Sequence, residues 1–271
     1  MATTTHNVFH LSSELDEQSP DLVITSANQV AFHVHRHRLL AASTNHFDTL
    51  LSLPSKTAIE FSESSPLISI MLNTIYDKPL DSLHPNATIL ISSIDTLKKY
   101  GIPLNQYVHS NTPLFTALVA AAPSCAIDLY ILAAENDLHE LAAAISVYLY
   151  SFDLSTVTDE MAIRMGPIYL KKLFLLQITR IATLEQLIAA PLALHSPTST
   201  CDMDAQHLLA RRWDLATINI QTIATASMTS ASIGGVLGTV EAQTECRFCR
   251  DAVQVRVQEV VSGWEQVQKT M

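Results

Sequence analysis

Glycine is what this sequence has least of among the residues that shape a backbone. Six occur in 271 residues, below the usual ~7%, and three of them (Gly234, Gly235 and Gly238) share one short stretch. Scarce glycine beside abundant Ala, Leu and Ile favours helix, because those residues lose little freedom there. Charge is thin as well: charged residues make up 15% of the chain and hydrophobic ones 48%, and mean hydropathy is positive. That balance excludes a disordered chain and requires extensive burial against itself or a partner.

Positive charge is scarcer still, giving a formal net charge of −10. Lys98-Lys99, Lys171-Lys172 and Arg211-Arg212 are the only local concentrations of it, so direct nucleic-acid binding is not expected. The longest apolar stretch, Thr116 to Ala134, is interrupted by Pro123 and Asp128, which argues against a membrane span of about 20 residues. The start, MATTTHNVFH, has neither a basic opening nor an apolar run, so no secretory signal is read there. Four scattered cysteines are then expected to be reduced, in the cytosol or nucleus.

What is present reads as an ordered series of elements. Residues 1–19 are polar and rich in Thr and Ser, a flexible arm. Asp21 to Ser26 and Val30 to Val34 are β-branched runs around the turn-like Ala27-Asn28-Gln29, predicting a hairpin. Helices are predicted over Arg36 to Ala42 and Asn45 to Leu51, the second closed by Pro54. Ala58 to Ser62 alternates like a half-buried strand, and Ser64-Ser65-Pro66 opens a helix to Tyr76. A further helix, Thr88 to Tyr100, stops at Gly101.

Past a boundary at Asn105 to Pro113 the pattern is helical. Ile127, Ile131, Ala134, Leu138, Leu141, Ile145 and Leu149 form one apolar stripe, and Phe174, Ile178, Ile181, Leu184 and Ile188 another. After a loop around Pro191 and Pro197, a helix is predicted over Asp204 to Ala226. A small-residue linker over Ser227 to Thr239 and a last helix from Thr244 to Lys269 follow.

The order of elements over Asp21 to Gly101, with Phe32-His33-Val34-His35-Arg36 followed by Leu39 and Ser43, resembles the BTB/POZ domain. The likeness covers roughly a third of the chain, and Phe47 stands one position later than the family's aromatic. It implies an α+β fold, a small sheet flanked by helices over residues 20–104, continued here by an all-helical region over 105–271. It also implies a charged pocket near a dimer surface, with Asp21 and Arg36 in the positions of its acid and its arginine. Members of the family are dimerising adaptors that bind protein partners without turnover. Cullin-binding members carry a hydrophobic-x-Glu signature where this chain has Ile68-Ser69-Ile70. The whole chain is most similar to fungal BTB proteins whose helical tail ends in Cys-x-x-Cys and a Trp, as Cys246, Cys249 and Trp264 do. The expectation is therefore a self-associating protein-interaction adaptor with no cofactor. A cullin adaptor and a zinc- or thiol-dependent protein are the alternatives.

Catalytic patterns are missing: there is no Gly-x-Ser-x-Gly elbow, no P-loop lysine and no His-Glu-x-x-His. His33, His35 and His37 alternate, but a strand ending near Val34 leaves His35 to buttress the next helix. Glu135, Asp137 and Glu140 read as a solvated helix face, and Trp213 and Trp264 as packing anchors. Cys246-Arg247-Phe248-Cys249 is half of a zinc pattern, which Cys201, His195 or His207 complete only through tertiary folding. Spacing of three and four from Cys246 and Cys249 through Val253, Val257, Val260 and Trp264 assigns both thiols to one apolar helix face. On that reading they are small core residues and not metal ligands.

Overall fold

The computed structural model describes residues 8–10, 19–52, 57–267 and 270. The architecture is α+β, and the chain divides into two units, residues 1–148 with 159–166, and residues 149–158 with 167–271.

The first unit holds a four-stranded sheet in the order β1-β3-β2-β4, formed by β1 (Val8–His10), β2 (Leu22–Thr25), β3 (Ala31–Val34) and β4 (Ala58–Glu60). β2 and β3 are the predicted antiparallel hairpin, with Leu22 opposite Val34 and Ile24 opposite Phe32. All four of these side chains are buried, as the two-residue alternation of a strand requires. β1 and β4 pair in parallel with β3 and β2. The arm expected over residues 1–19 lies mostly outside the described residues, but β1 falls within it. An edge strand three residues long pairs through its backbone and needs no sequence signature.

Helix α1 (Arg36–Ala42) buries Leu39 and Ala42. The helix expected over Asn45 to Leu51 is instead a left-handed turn, with φ between 54° and 67° at His46, Phe47, Asp48 and Thr49. Side chains divert the backbone here: Ser43 Oγ accepts from the Phe47 N–H at 2.9 Å, and Asn45 Oδ1 from the Asp48 N–H at 3.0 Å. Pro54, expected to close that helix, lies outside the described residues.

Helix α2 (Ser65–Ile75) is buried from Ile68 to Ile75. Helix α3 (Ala87–Lys99) is capped by Asn86, whose side-chain Oδ1 accepts from the Ile89 N–H at 2.9 Å. Gly101, at φ +69°, ends that run, and a Cβ there would lie 2.5 Å from Asn45 Oδ1. Glycine is thus required both by the backbone angle and by the approach of Asn45. Phe47, Phe61 and Tyr100 stack with centroid separations of 4.6 to 6.1 Å.

After the single turn α4 (Leu104–Tyr107) comes α5 (Pro113–Glu135), kinked at Cys125 two residues past Pro123. By length and composition α5 could cross a membrane, but Leu114, Leu118, Ala122 and Leu129 to Ala134 are buried within the structure. The stripe expected on one long helix runs on into a second, α6 (His139–Ser146), after a turn at Asn136-Asp137. Glu135, Asp137 and Glu140 accordingly do not share a helix face. Glu135 pairs with Arg164, and Glu140 accepts from Ser110.

Helix α7 (Asp159–Ile188) breaks at Gly166 (φ 68°) before Pro167, and there the units part. In the second unit its buried face is Leu173, Gln177, Arg180, Leu184 and Ile188. The expected stripe was misplaced in its first half: Phe174 and Ile178 are 36% and 55% exposed. The structure buries two polar side chains in their stead. Gln177 Nε2 donates to the carbonyls of Leu149 and Phe152, each at 2.8 Å. The Arg180 guanidinium lies 4.4 Å from both the Tyr150 and Trp264 rings and donates through Nε to the Ala226 carbonyl at 3.0 Å.

Helix α8 (Met203–Ile223) buries Leu209, Trp213 and Ile220. The expected linker over Ser227 to Thr239 contains helix α9 (Ser230–Gly238), opened by a capping box between Thr229 and Ser232. Of its glycines Gly234 serves packing: a Cβ there would stand 3.3 Å from Val261 on the last helix, α10 (Arg247–Glu265). Close helix approach and the burial of Ile233 and Leu237 outweigh the weak helix propensity of glycine.

Candidate functional site

Two groups of residues bear on function, one in each unit. In the first, His35 is buried at the N-cap of α1, its backbone N–H donating to Tyr76 Oη at 2.8 Å and its Nδ1 lying 3.0 Å from the same oxygen. Phe32 and Leu39 are buried beside it in the same core, and Ser43 Oγ donates to the Tyr100 carbonyl at 2.7 Å. Asp21 Oδ1 accepts from the Arg36 backbone N–H at 2.8 Å, tying the start of α1 to the head of β2. Arg36 lines a cleft of about 420 Å³ with Leu40, His46, Leu51 and Ser52. Asp21 and Arg36 are thus neighbours, joined through carboxylate and backbone. Ile68, Ser69 and Ile70 are all buried, so the stretch corresponding to the cullin signature faces the core.

The second group is a cluster that sequence spacing misread. Cys246 is not on the helical stripe. Its backbone is extended (φ −71°, ψ 122°) at the N-cap of α10, and only Cys249 lies within the helix, buried with Val253, Val260 and Trp264. Around these two the fold gathers His195 and Cys201 from the α7–α8 connection, and one donor atom from each of the four residues lies within 4.8 Å of the others. His195 Nε2 is 3.3 Å from Cys246 Sγ and 3.4 Å from Cys249 Sγ, and Cys201 Sγ is 3.7 Å from Cys249 Sγ. His207 is exposed and takes no part.

Local structure positions each donor. A tight turn with reciprocal backbone hydrogen bonds between Thr198 and Cys201 presents the Cys201 thiol. His195 Nδ1 lies 2.6 Å from the Ser196 carbonyl, so it carries the proton and donates it, and Nε2 turns its lone pair toward the thiols. Gln206 Nε2 stands 3.5 Å from His195 Nδ1, farther than the Ser196 carbonyl, and the Phe248 and His195 rings are tilted with centroids 5.5 Å apart.

The electrostatics of the three groups diverge. A hydrogen bond from the Cys249 backbone N–H, with help from Cys201 and His195, pushes the Cys246 thiol down to about 7. Burial, then the neighbouring sulfurs, push the Cys249 thiol up to about 12. The bond to Ser196 raises His195 above its ordinary value. Three thiols and an imidazole are soft or borderline donors, the set that a thiophilic divalent metal takes. The sequence signal that could have found the site is His-x5-Cys followed by Cys-x2-Cys, a pattern of four donors in two pairs.

Compared with family models, with curated proteins and with solved structures, the chain matches none.

Proposed function

We propose that this protein is a non-enzymatic interaction adaptor, whose BTB/POZ-like residues 20–104, within the first unit, self-associate or bind protein partners inside the cell. The observation that carries the reading is the frame of the first unit. Phe32, His35, Leu39, Ser43 and Phe47, the residues of the resemblance, meet in one hairpin-and-helix core. Beside that core, Arg36 lines an open cleft, and Asp21 accepts from its backbone N–H. A small sheet backed by helices offers binding surface, and adaptor function needs nothing more. A stable self-association of this kind buries about 1,600 Å² or more.

Sedimentation velocity of the full chain tests it. Dimer is expected at micromolar concentration, weakened by Arg36→Glu. Monomer alone at tens of micromolar, across moderate salt, together with no protein partner recovered from the native source, would overturn the reading.

A further inference from the structure

We propose that His195, Cys201, Cys246 and Cys249 bind one Zn²⁺ in a closed tetrahedral site that fastens the α7–α8 connection to the start of α10. The inference is independent of the adaptor reading, since it rests on the second unit alone.

The first support is the spacing of the donors. Zinc bonds of about 2.3 Å to sulfur and about 2.0–2.1 Å to nitrogen, in tetrahedral geometry, put two sulfurs about 3.8 Å apart and sulfur and nitrogen about 3.5 Å apart. The structure has 3.7 Å for Cys201 and Cys249, and 3.3 and 3.4 Å for His195 against Cys246 and Cys249. The three remaining pairs all lie within 4.8 Å.

The second is the orientation of the imidazole. Its outer nitrogen gives its proton to a backbone carbonyl and leaves the inner one as a lone-pair donor, the arrangement metal-bound histidines adopt. The third is the surroundings. Cys201 and Cys249 belong to the apolar core with Trp213, Val253 and Trp264, where convergent polar groups are costly unless they share a partner.

A Cys201–Cys249 disulfide would need the sulfurs about 2.05 Å apart. It would use two of the four groups and give no reason for the third thiol and the imidazole to converge. With four protein donors no coordination position stays open for substrate, so the ion is structural.

Coordination requires all three thiols as thiolates, so binding releases the protons they hold. The site also joins segments 45 residues apart in the chain, from Cys201 to Cys246, which makes zinc binding and folding of the second unit one equilibrium.

The experiment uses the full chain without an affinity tag that binds metal. After exhaustive dialysis, elemental analysis should give one zinc per chain. Cobalt exchanged into the site should show tetrahedral d–d bands and thiolate-to-cobalt charge transfer. His195→Ala and Cys201→Ser should each lose stoichiometric zinc, while His207→Ala keeps it. Because a ligand variant can fail to fold, the wild-type chain is also titrated with a strong chelator. Zinc should leave as three protected thiols become reactive, and the tryptophan-fluorescence melting transition should move down. A folded, metal-free protein whose thiols react freely and whose melting ignores the chelator overturns the proposal. So does a Cys201–Cys249 disulfide in the non-reduced protein, or iron in place of zinc.

Discussion

The two units satisfy the buried polar side chains of their helices in different ways. In the first, polar groups inside a buried helix are satisfied by that helix: Asn73 Nδ2 donates to the Ser69 carbonyl and Thr74 Oγ1 to the Ile70 carbonyl, both at 2.8 Å. In the second, Gln177 and Arg180 of α7 reach distant backbone, Arg180 at Ala226, as does the Trp264 indole N–H to Met228 at 2.9 Å. Local satisfaction leaves the hydrophobic period of a helix intact. Long-range satisfaction puts Gln177 and Arg180 on the inner face of α7 and displaces Phe174 and Ile178 outward. A polar residue can therefore belong to a core when the fold supplies its partner.

The largest expected effect tests the apolar side of this contrast. Phe61→Ala removes one ring of the Phe47, Phe61 and Tyr100 stack and should cost about 3–5 kcal/mol in urea unfolding followed by circular dichroism. A cost under ~1 kcal/mol would mean the stack is not what holds the first unit. Next, Arg180→Ala removes a guanidinium packed between two rings and bonded to a carbonyl, with an expected loss of about 2–3 kcal/mol. Both tryptophans, Trp213 and Trp264, are in the second unit, so their fluorescence reads this unfolding directly. Arg180→Lys should not restore stability, because an ammonium lacks the planar group that lies between the rings. A neutral Arg180→Ala would remove the contrast between the units.

Gly101→Ala should cost about 1–2 kcal/mol, from the positive φ and the contact with Asn45. Thermal melting of the single variant against Asn45→Ala/Gly101→Ala, each referred to its own Gly101 parent, isolates the side-chain contact, since the double variant keeps the positive φ and the 2.8 Å approach to the backbone nitrogen of residue 45. The smallest effect is on pH dependence. Burial pushes the Glu63 carboxyl up, but hydrogen bonds from Lys99, Tyr100 and Ser62 outweigh it and hold it below its ordinary 4.5. A depressed carboxyl contributes stability that is full above the unfolded value and is lost as pH falls through the folded one. Glu63→Gln should therefore flatten the stability–pH curve below about pH 4.5 and leave its shape at neutral pH unchanged. A variant curve parallel to the wild type would show that these bonds do not stabilise the charge.

Much of the first unit was legible because its signals are local. The β2–β3 alternation, α1 from Arg36 to Ala42, and the Ser64-Ser65-Pro66 opening of α2 depend on neighbours in sequence, and each stands within about a residue of its predicted place. The turn at His46 to Thr49 was not legible, because Ser43 and Asn45 redirect the backbone while both are themselves tied to the Lys99–Gly101 segment.

By itself the sequence determined an α+β chain with a hairpin-and-helix front and a helical remainder, since strand alternation, helix caps and scarce glycine act over a few residues. Tertiary structure alone decided which face of α7 turns inward, that a glycine-containing segment becomes α9, and that His195 and Cys201 meet Cys246 and Cys249. The physical reason is common to the three. Each is set by groups tens of residues away that offer a hydrogen bond, a close backbone approach or another metal-binding donor atom. Periodicity along one segment carries no record of what will face it.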